Sequence, residues 1–374
     1  MYDLPNINIL STSDDFNSDD YMEIAAREAD AISEKLGEMG ARCNCEKIDI
    51  GPQVIRFSLV AAEGVKVRDI PKLAPELQYD LGTKSITIQA PEPGEKFVVV
   101  EIANPNRRLI TTGDVIHSAK SPLTIPLGIN PSNEIITADI RSMPHCLIAG
   151  TTGSGKSVAL HNMISSLLMT TTPDELGFML VDTKMVELTA YDGIPNLICP
   201  VITDAWEAIK HFKALVMMME RRYELAREHG AKTLEELNQC LSKPLTYTLV
   251  VVDEVADLMY ISRKEIEESI VRIAQKARAV GIHMILSTQS PRRDIITGLL
   301  KANLPSRIGF ATTSGLDSRI IMDKMGCESL LKNGDMLYSD QGKPPIRIQS
   351  PFISTEEIES IVSQLSHQTE RIAA

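Results

Sequence analysis

The segment at residues 150–157 constrains the fold of this chain more than any other part of its sequence. It follows a short apolar run at 146–149 and leads into a stretch whose apolar residues recur at helical spacing. Its members match the pattern G-x-x-x-x-G-K-[ST], and they are Gly150, Thr151, Thr152, Gly153, Ser154, Gly155, Lys156 and Ser157. A glycine-rich turn between a strand and a helix directs successive backbone N–H groups at one point, where phosphate oxygens fit. The segment therefore predicts a strand–loop–helix unit that binds the phosphates of a nucleotide.

The last two residues of this loop have defined partners in such a unit. Lys156 would bridge the β- and γ-phosphates, and the hydroxyl of Ser157 would coordinate Mg²⁺. A glycine-rich turn with an unrelated lysine is the alternative, but such a turn needs neither the strand before it nor the helix after it. The predicted cofactors are therefore ATP and Mg²⁺.

The sequence beyond residue 118 alternates between short apolar runs and helical patterns. The apolar runs are HCLIAG, GFMLVD, LTYTLVVVDE, HMILSTQ and RIGFAT. Helical spacing of apolar residues occurs near 156–169, 204–228, 264–280 and 317–325. Alternating strands and helices are typical of an α/β fold, in which a mainly parallel central sheet is flanked by helices.

Polar side chains end two of these apolar runs. Asp253 and Glu254 follow the run at 249–252, and Gln289 ends the run HMILSTQ. Because the carboxyl ends of parallel strands share one edge of a sheet, these groups would lie beside the phosphate-binding loop. Asp253 would then hold Mg²⁺, Glu254 would polarise the attacking water, and Gln289 would contact the water or the γ-phosphate. The alternatives are a simple strand cap for the acidic pair and a turn residue for Gln289.

Two arginines could compensate charge on the γ-phosphate from a neighbouring subunit, as is usual in ring ATPases. Arg278 lies near the end of the helical pattern before HMILSTQ, and Arg307 lies at the start of the following strand. The sequence leaves both open as residues of surface salt bridges.

The chain divides, in our prediction, into a small α+β module at residues 1–118 and an ATPase domain at 119–374. Residues 1–18 are rich in Asp, Ser and Asn and would form an extended arm. Apolar spacing from Met22 to Met39 predicts a helix that ends at Gly40. Alternation at 55–59 predicts a strand, and Pro71 would open a second helix. No catalytic group of residues is recognisable in this part.

The composition limits the partners and the compartment. The net charge of −12 argues against a broad basic surface for DNA, although a ring needs positive charge only on the lining of its channel. The six cysteines are widely spaced and predict free thiols in a reducing, cytoplasmic compartment. No run of 18 apolar residues occurs, so the sequence has no membrane segment and a membrane role would require a partner.

Several segments resemble the FtsK/SpoIIIE family of DNA translocases, within the FtsK–HerA group. The similar segments include MPHCLIAGTTGSGKS, YDGIP, MERRY, VDEVAD, AQKARAVGIH, ITGLLKAN and GDMLY, and GPQVIRFSLVAAEGVKV resembles a pattern of the family's N-terminal module. The resemblance implies a RecA-like P-loop fold and a hexameric ring that moves double-stranded DNA through its centre. It also implies that the small module forms a second tier and that Arg278, rather than Arg307, acts in trans.

The departures from the family pattern fall in the segments that would line the DNA channel. Ser290 stands where the family has arginine, and Gly315 stands where it commonly has lysine. Arg292 and Arg293 would supply the missing charge, and Arg319 matches the pattern. Because duplex DNA is held mainly through its phosphates, cations moved by two residues could preserve binding with a changed geometry. These three arginines are the predicted DNA contacts.

Three functions are compatible with these features. The first is an ATP-dependent translocase of double-stranded DNA, stimulated by DNA and built as a homo-hexamer; its membrane or recombination partner would be unknown. The second is an ATPase that transports protein substrates in a secretion-type system. The third is a nucleotide-binding scaffold without turnover, which the acidic pair disfavours. Because the family's membrane-spanning and winged-helix regions have no counterpart here, we expect a minimal member of the family rather than an excised motor.

Overall fold

A computed structural model describes residues 2–13, 19–83, 85–91 and 94–373, which form two separate sheets. One sheet has four strands in the order β1-β2-β4-β3, and the other has nine in the order β6-β5-β13-β12-β11-β7-β10-β9-β8. We call the four-stranded sheet and its helices, residues 19–103, the small module. The remainder of the described chain is called the large region.

The small module packs two helices on an antiparallel sheet. Its elements are α1 (Asp19–Glu38), β1 (Cys43–Ile50), β2 (Val54–Ala61), α2 (Ala74–Asp80), β3 (Ile86–Gln89) and β4 (Val98–Ala103). The predicted first helix and the strand at 55–59 are confirmed, and Gly40 adopts a φ of 80° just beyond α1. After Pro71 the chain first makes a short 3₁₀ turn and begins the α-helix only at Ala74. Alternate strand residues such as Phe57 and Leu59 form the core.

The large region contains the other nine strands and eight helices. Its strands are β5 (Thr124–Ile129), β6 (Ile135–Asp139), β7 (His145–Ala149), β8 (Leu176–Val181), β9 (Tyr247–Val252), β10 (Ile282–Thr288), β11 (Ser306–Phe310), β12 (Asp335–Ser339) and β13 (Ile346–Gln349). Its helices are α3 (Thr112–Val115), α4 (Lys156–Leu168), α5 (Ala205–Glu228), α6 (Leu234–Cys240), α7 (Val255–Lys276), α8 (Gly298–Asn303), α9 (Gly315–Met322) and α10 (Thr355–Ala373). Every helix in the described ranges is too short or too polar to cross a bilayer.

The predicted parallel sheet forms the centre of the large region. Strands β11, β7, β10, β9 and β8 are parallel, whereas β12, β13, β5 and β6 extend the sheet in antiparallel pairs. Successive residues of one strand face opposite layers: Cys146 and Ile148 pack with α4 and α10, and Leu147 and Ala149 pack with α5 and α7. Helices therefore cover both faces, which confirms the predicted α/β class and explains why these strands are continuously apolar.

The first residues of the chain lie on the large region rather than on the small module. The backbone N–H of Asp3 donates to Gln368 at 2.9 Å, and that of Ser11 donates to Glu357 at 2.6 Å, both on α10. Leu10 is part of the same apolar cluster as α4 and α10. The arm predicted for residues 1–18 is thus tied down over residues 2–11, while residues 14–18 lie outside the described ranges. The division at residue 118 remains a prediction.

The two regions meet where the turn after β1 approaches the loop after β5. A Cβ on Gly51 would lie 2.7 Å from the Cα of Pro131, so the position requires glycine. Asn133 donates its side-chain amide to the carbonyl of Ile50 at 2.7 Å. Close by, Glu101 of β4 binds Arg347 of β13 across the same junction. The contact between the two regions is therefore close and largely polar.

Candidate nucleotide-binding site

The glycine-rich loop lies between β7 and α4, as the sequence predicts. Gly155 precedes α4 with a φ of 106°, and a Cβ there would clash with the backbone of Gly334. A Cβ on Gly150 would come within 2.5 Å of Phe310. These glycines are required because the loop packs directly against β11 and against the turn before β12. The N-terminus of α4 faces the space enclosed by the loop.

A cavity of about 570 Å³ lies against this loop. It is lined by six of the eight motif residues, Thr151, Thr152, Gly153, Gly155, Lys156 and Ser157, together with Val158, Glu187 and Gln289. Its other lining residues are Leu109, Asn333, Gly334, Gln349, Ser350, Pro351 and Phe352. A cavity that combines the backbone N–H donors of the loop with an aromatic ring and polar groups suits the phosphates and the base of a nucleotide.

Lys156 and Asp253 form a buried ion pair at the carboxyl edge of the sheet. The Lys156 ammonium lies 3.1 Å from Asp253 Oδ1 and 2.7 Å from Ser287 Oγ, and it also donates to the Asp253 carbonyl at 3.2 Å. Both side chains are at most 3% exposed. The two residues therefore lie next to each other, as the sequence predicts, and each neutralises the charge of the other.

The donor set suits Mg²⁺ only in combination with other ligands. Ser157 and Asp253 offer hard oxygen atoms, which Mg²⁺ prefers. In the described part of the chain, no group of three or more His, Cys, Asp or Glu residues could hold a metal ion. This fits Mg²⁺, which is usually held by one or two protein oxygens together with water and substrate phosphates.

Glu254 is fixed by three groups from neighbouring segments. Thr288 donates its hydroxyl to Oε1 at 2.5 Å, while the backbone N–H of Gln289 and the ammonium of Lys184 approach Oε2 at 3.1 and 3.0 Å. Burial lowers the pKa of Lys184, but the bond to Glu254 outweighs it and raises that pKa above its usual value. The Glu254 side chain thus has a defined orientation beside the phosphate loop.

Gln289 connects the acidic strand to the phosphate loop. Its side-chain oxygen accepts a hydrogen bond from the hydroxyl of Thr152 at 2.7 Å. Its backbone N–H binds Glu254, so one residue touches both halves of the site. The structure brings together Lys156, Asp253, Glu254 and Gln289 as the sequence predicts, whereas their chemical roles remain proposals.

The two candidate trans arginines lie at the opposite edge of the sheet. Arg278 is in the turn before β10, and its Nε donates to the carbonyl of Arg141 at 3.2 Å. The seven residues of β10 span about 20 Å, so Arg278 does not reach the phosphate loop of its own subunit. Arg307 binds Asp323 and donates to the carbonyls of Lys301, Leu304 and Ile321. Arg278 is therefore more available to a neighbour than Arg307.

The predicted DNA contacts lie on the surface. Arg292 pairs with Asp294, 2.9 Å from Nη2 to Oδ2, and Arg293 is exposed next to it. Arg319 is exposed on α9 and approaches the sulfur of Met325 at 3.3 Å. A Cβ on Gly315 would lie 2.6 Å from the methyl group of Met325, so a larger residue there would require that exposed side chain to move.

Comparisons with known proteins bear on this geometry. Residues 109–293 match the model of the FtsK/SpoIIIE family, and residues 4–106 match that of the FtsK alpha domain. The sequence is 41% identical over 384 residues to DNA translocase FtsK of Lactiplantibacillus plantarum, covering 98% of this chain and 48% of that protein. It is also 41% identical over 378 residues to DNA translocase SftA of Bacillus subtilis, covering 98% and 40%.

The chain belongs to the FtsK/SpoIIIE family. It spans about half the length of the curated relatives that it matches. Among solved structures, it resembles the pCW3 conjugation coupling protein TcpA in a monomer form with ATPγS, with a TM-score of 0.65 and 23% identity over 93% of this chain and 100% of that one. It also resembles the cytoplasmic domain of the type VII secretion ATPase EccC of Thermomonospora curvata, with a TM-score of 0.59 and 26% identity over 65% and 31%. The RecA-like P-loop fold is thereby confirmed.

The site of this FtsK/SpoIIIE member contains residues that the sequence analysis missed. Glu187 lines the cavity, and its carboxylate lies 3.2 Å from Nε2 of His161, whose Nδ1 is 3.0 Å from the hydroxyl of buried Tyr191. The bond to His161 lowers the pKa of Glu187, and the hydroxyl of Ser157 acts in the same direction. The sequence signal for Glu187 was an acidic residue in the loop after an apolar strand, but this residue lies six positions beyond the end of β8 at Val181.

Proposed function

We propose that this chain converts ATP hydrolysis into movement of double-stranded DNA as the motor part of a homo-hexameric ring. The observation that carries the proposal is the arrangement around Gln289. This residue binds Glu254 and Thr152 of the nucleotide site, and the exposed arginines Arg292 and Arg293 follow three and four residues later. A change at the nucleotide can therefore be transmitted directly to a basic surface loop.

The residues of the cavity suit hydrolysis of a nucleoside triphosphate. Lys156 would leave Asp253 and bind the β- and γ-phosphates, while Ser157 and Asp253 would hold Mg²⁺. When bound, Mg²⁺ neutralises negative charge on the phosphates. Glu254 would accept a proton from the attacking water, and Gln289 would orient that water. Because Thr288 and Lys184 fix the Glu254 carboxylate, its orientation does not have to be established in each catalytic cycle.

The position of Arg278 supports the proposal of a ring. This side chain lies about one strand length from the phosphate loop of its own subunit, so it would complete the site of the adjacent subunit. Arg307 is the weaker alternative because it is engaged with Asp323 and three carbonyls. Hydrolysis would then depend on how neighbouring subunits are arranged.

DNA is the favoured load because the residues that follow the nucleotide site are cationic. Arg292, Arg293 and Arg319 would bind the phosphate backbone without reading sequence. The relatives at 41% identity are named DNA translocases, and the overall charge of −12 would confine DNA to the lining of the ring. The likeness to EccC makes transport of a protein substrate in a secretion-type system the second candidate. We place the motor in the cytoplasm, with its membrane or recombination partner unidentified.

The test compares ATP hydrolysis with and without long duplex DNA over a salt titration between about 50 and 200 mM. We expect stimulation by DNA that declines steeply with salt, and mass measurement should reveal hexamers on DNA. The triple variant R292E/R293E/R319E should lose the stimulation and keep basal hydrolysis. A matched control reverses three exposed cations elsewhere, R27E/K72E/K210E, and should respond to DNA like the wild type. A rate that duplex DNA does not change at any salt concentration would contradict DNA as the load and favour the protein substrate.

A further inference from the structure

A chain of buried ion pairs connects the small module to the large region. Arg56 and Glu101 are cross-strand partners in β2 and β4, and Nε and Nη2 of Arg56 donate to Glu101 Oε1 at 2.9 and 2.7 Å. The other oxygen of Glu101 accepts from Nη1 of Arg347 on β13 at 2.7 Å. The remaining nitrogens of Arg347 bind Asp335 on β12 at 2.9 and 2.6 Å. One guanidinium group therefore joins a carboxylate of each region.

Three of the four members of this chain are almost completely buried. Glu101 is 2% exposed, Asp335 is 1% and Arg347 is 6%. Burial alone would raise the pKa of Glu101, but the two guanidinium groups outweigh it and hold that pKa below its usual value. Because buried charges must be fully paired, Arg347 has little freedom to move independently of Glu101 and Asp335. Its planar fork also fixes the direction from which each carboxylate is bound.

Asp335 stands directly behind the phosphate-binding loop. It is the first residue of β12 and follows the turn at Asn333 and Gly334, both of which line the nucleotide cavity. The N–H of Gly334 donates to the carbonyl of Ser154 at 2.9 Å, and the turn leaves no space for a Cβ on Gly155. A displacement of Asp335 would therefore move the adjacent Gly334 and, through it, the phosphate loop.

The same turn is held from the other side by the residues that follow Arg347. The amide of Gln349 donates to the carbonyl of Asn333 at 2.8 Å, and the N–H of Ser350 donates to the carbonyl of Gly334 at 2.8 Å. Arg347 thus lies on β13, which supports the turn, while its side chain holds β12, which the turn begins. Arg347 therefore supports the turn in two ways, through the hydrogen bonds of the residues that follow it on β13 and through its ion pair with Asp335 on β12.

We propose that Arg347 is a positioning residue for nucleotide binding, which sets the Gly334 turn against the phosphate loop by holding Asp335 and Glu101 together. The inference rests on the proposed nucleotide function of the cavity. It makes Glu101 of the small module part of the support of that site. Since coupling between two sites is reciprocal, nucleotide binding must also stabilise the contact of β4 with Arg347.

The first measurement is amide hydrogen exchange on the full wild-type chain with and without saturating MgADP. We expect slower exchange at Gly334 and in β4 when the nucleotide is bound. The strand β1, at the far edge of the small module from β4, should exchange at the same rate in both samples. Protection of β4 would not arise if the small module were only a passive attachment.

The second measurement is the affinity for MgADP of the variant R347K, with R56K as its matched control. In each variant the lysine keeps the positive charge and loses the planar fork. Arg56 and Arg347 both bind Glu101, but only Arg347 joins Glu101 to the large region. We expect R347K to weaken MgADP binding about 10-fold and to abolish the protection of β4. R56K should bind MgADP like the wild type and retain that protection, even where urea unfolding reveals equal loss of stability.

The outcomes distinguish a failure of this inference from a failure of the proposed nucleotide function. Wild-type chain that does not bind MgADP would overturn the proposed nucleotide function and the inference with it. Wild-type binding together with unchanged affinity and protection in R347K would overturn the inference alone. An equal loss of affinity in R56K and R347K would also overturn it, because the effect would then be one of general destabilisation.

Discussion

The strands of the two sheets in this protein differ in how much of their length is buried. The small module has an antiparallel sheet with strands such as β3, in which buried Ile86 and Ile88 alternate with the more exposed Thr87 and Gln89. In the large region the parallel strands β7, β8 and β10 are buried along their whole length. Polar side chains of such strands are confined to the strand ends, which is where Asp253, Glu254 and Gln289 lie. The candidate catalytic groups therefore lie in the large region, at the ends of strands that are otherwise almost entirely apolar.

The two regions also have separate apolar cores. The residues of the small module form one cluster, whereas the two faces of the large sheet form two others. The contact between the regions depends instead on polar groups such as Glu101 and Arg347. We therefore expect substitutions in the two regions to have different kinds of effect, on catalysis in one and on their association in the other.

The largest difference should come from matched lysine substitutions. Lys156→Ala removes the cation of the phosphate site and should lower ATP hydrolysis about 1,000-fold. Lys96→Ala removes an exposed lysine of the small module that pairs with Glu46 and should leave the rate unchanged. Phosphate release measures both, after circular dichroism has established that Lys156→Ala is folded despite the unpaired Asp253. Equal rates of ATP hydrolysis in the two variants would contradict the proposal that catalysis takes place in the large region.

A second substitution separates binding from hydrolysis inside the large region. Glu254→Gln retains the shape of the side chain and loses the proton acceptor, so hydrolysis should fall about 100-fold. Fluorescent ATP analogues should bind with nearly unchanged affinity, because Lys156 and the loop N–H groups remain. Loss of binding in this variant would mean that Glu254 supports the loop rather than the chemistry.

The sequence predicted the parts of the site that are local in the chain. The loop at 150–157 and the acidic pair are each continuous, and strand ends in a parallel sheet must meet at one edge. The sequence therefore placed Lys156, Asp253, Glu254 and Gln289 near one another before any coordinates were known. The antiparallel strands β12, β13, β5 and β6 were not predicted, because short runs such as IRIQ do not distinguish a strand from a loop.

The contacts between segments that are far apart in the sequence could not be predicted from the sequence. Glu101 and Arg347 are 246 residues apart, and each looks like an ordinary solvent-facing charge between the apolar residues of a strand. Nothing in the alternation of β4 indicates that one charge faces inward toward another sheet. The packing of residues 2–11 on α10 was missed for the same reason, because it depends on where the two chain ends meet.

The junction can be broken at its buried carboxylate. Glu101→Gln leaves Arg56 and Arg347 with insufficient negative charge and should lower the stability of the small module by about 3–5 kcal/mol. In wild-type protein the stabilisation by the Glu101 carboxylate is present above the unfolded pKa of about 4.5 and is lost as pH falls through the lower folded pKa. Urea unfolding should change from one transition to two, with the small module unfolding first. A single unchanged transition would mean that the apolar clusters, not the ion pairs, hold the regions together.

The smallest expected effect concerns the loss of stability that histidines cause between pH 7 and pH 5, which should belong to the large region because residues 19–103 contain no histidine. Burial, aided by the charge of Arg278, lowers the pKa of His145 to about 3 and that of His283 to about 4. The unfolded chain binds protons below pH about 6.5 and the folded chain does not, so stability falls as pH decreases from about 6.5 toward about 4. At pH 5 each histidine should cost about 2 kcal/mol. The variant H145L/H283F should therefore lose less stability between pH 7 and pH 5 than wild type in urea titrations, and an identical loss would place the acid sensitivity elsewhere.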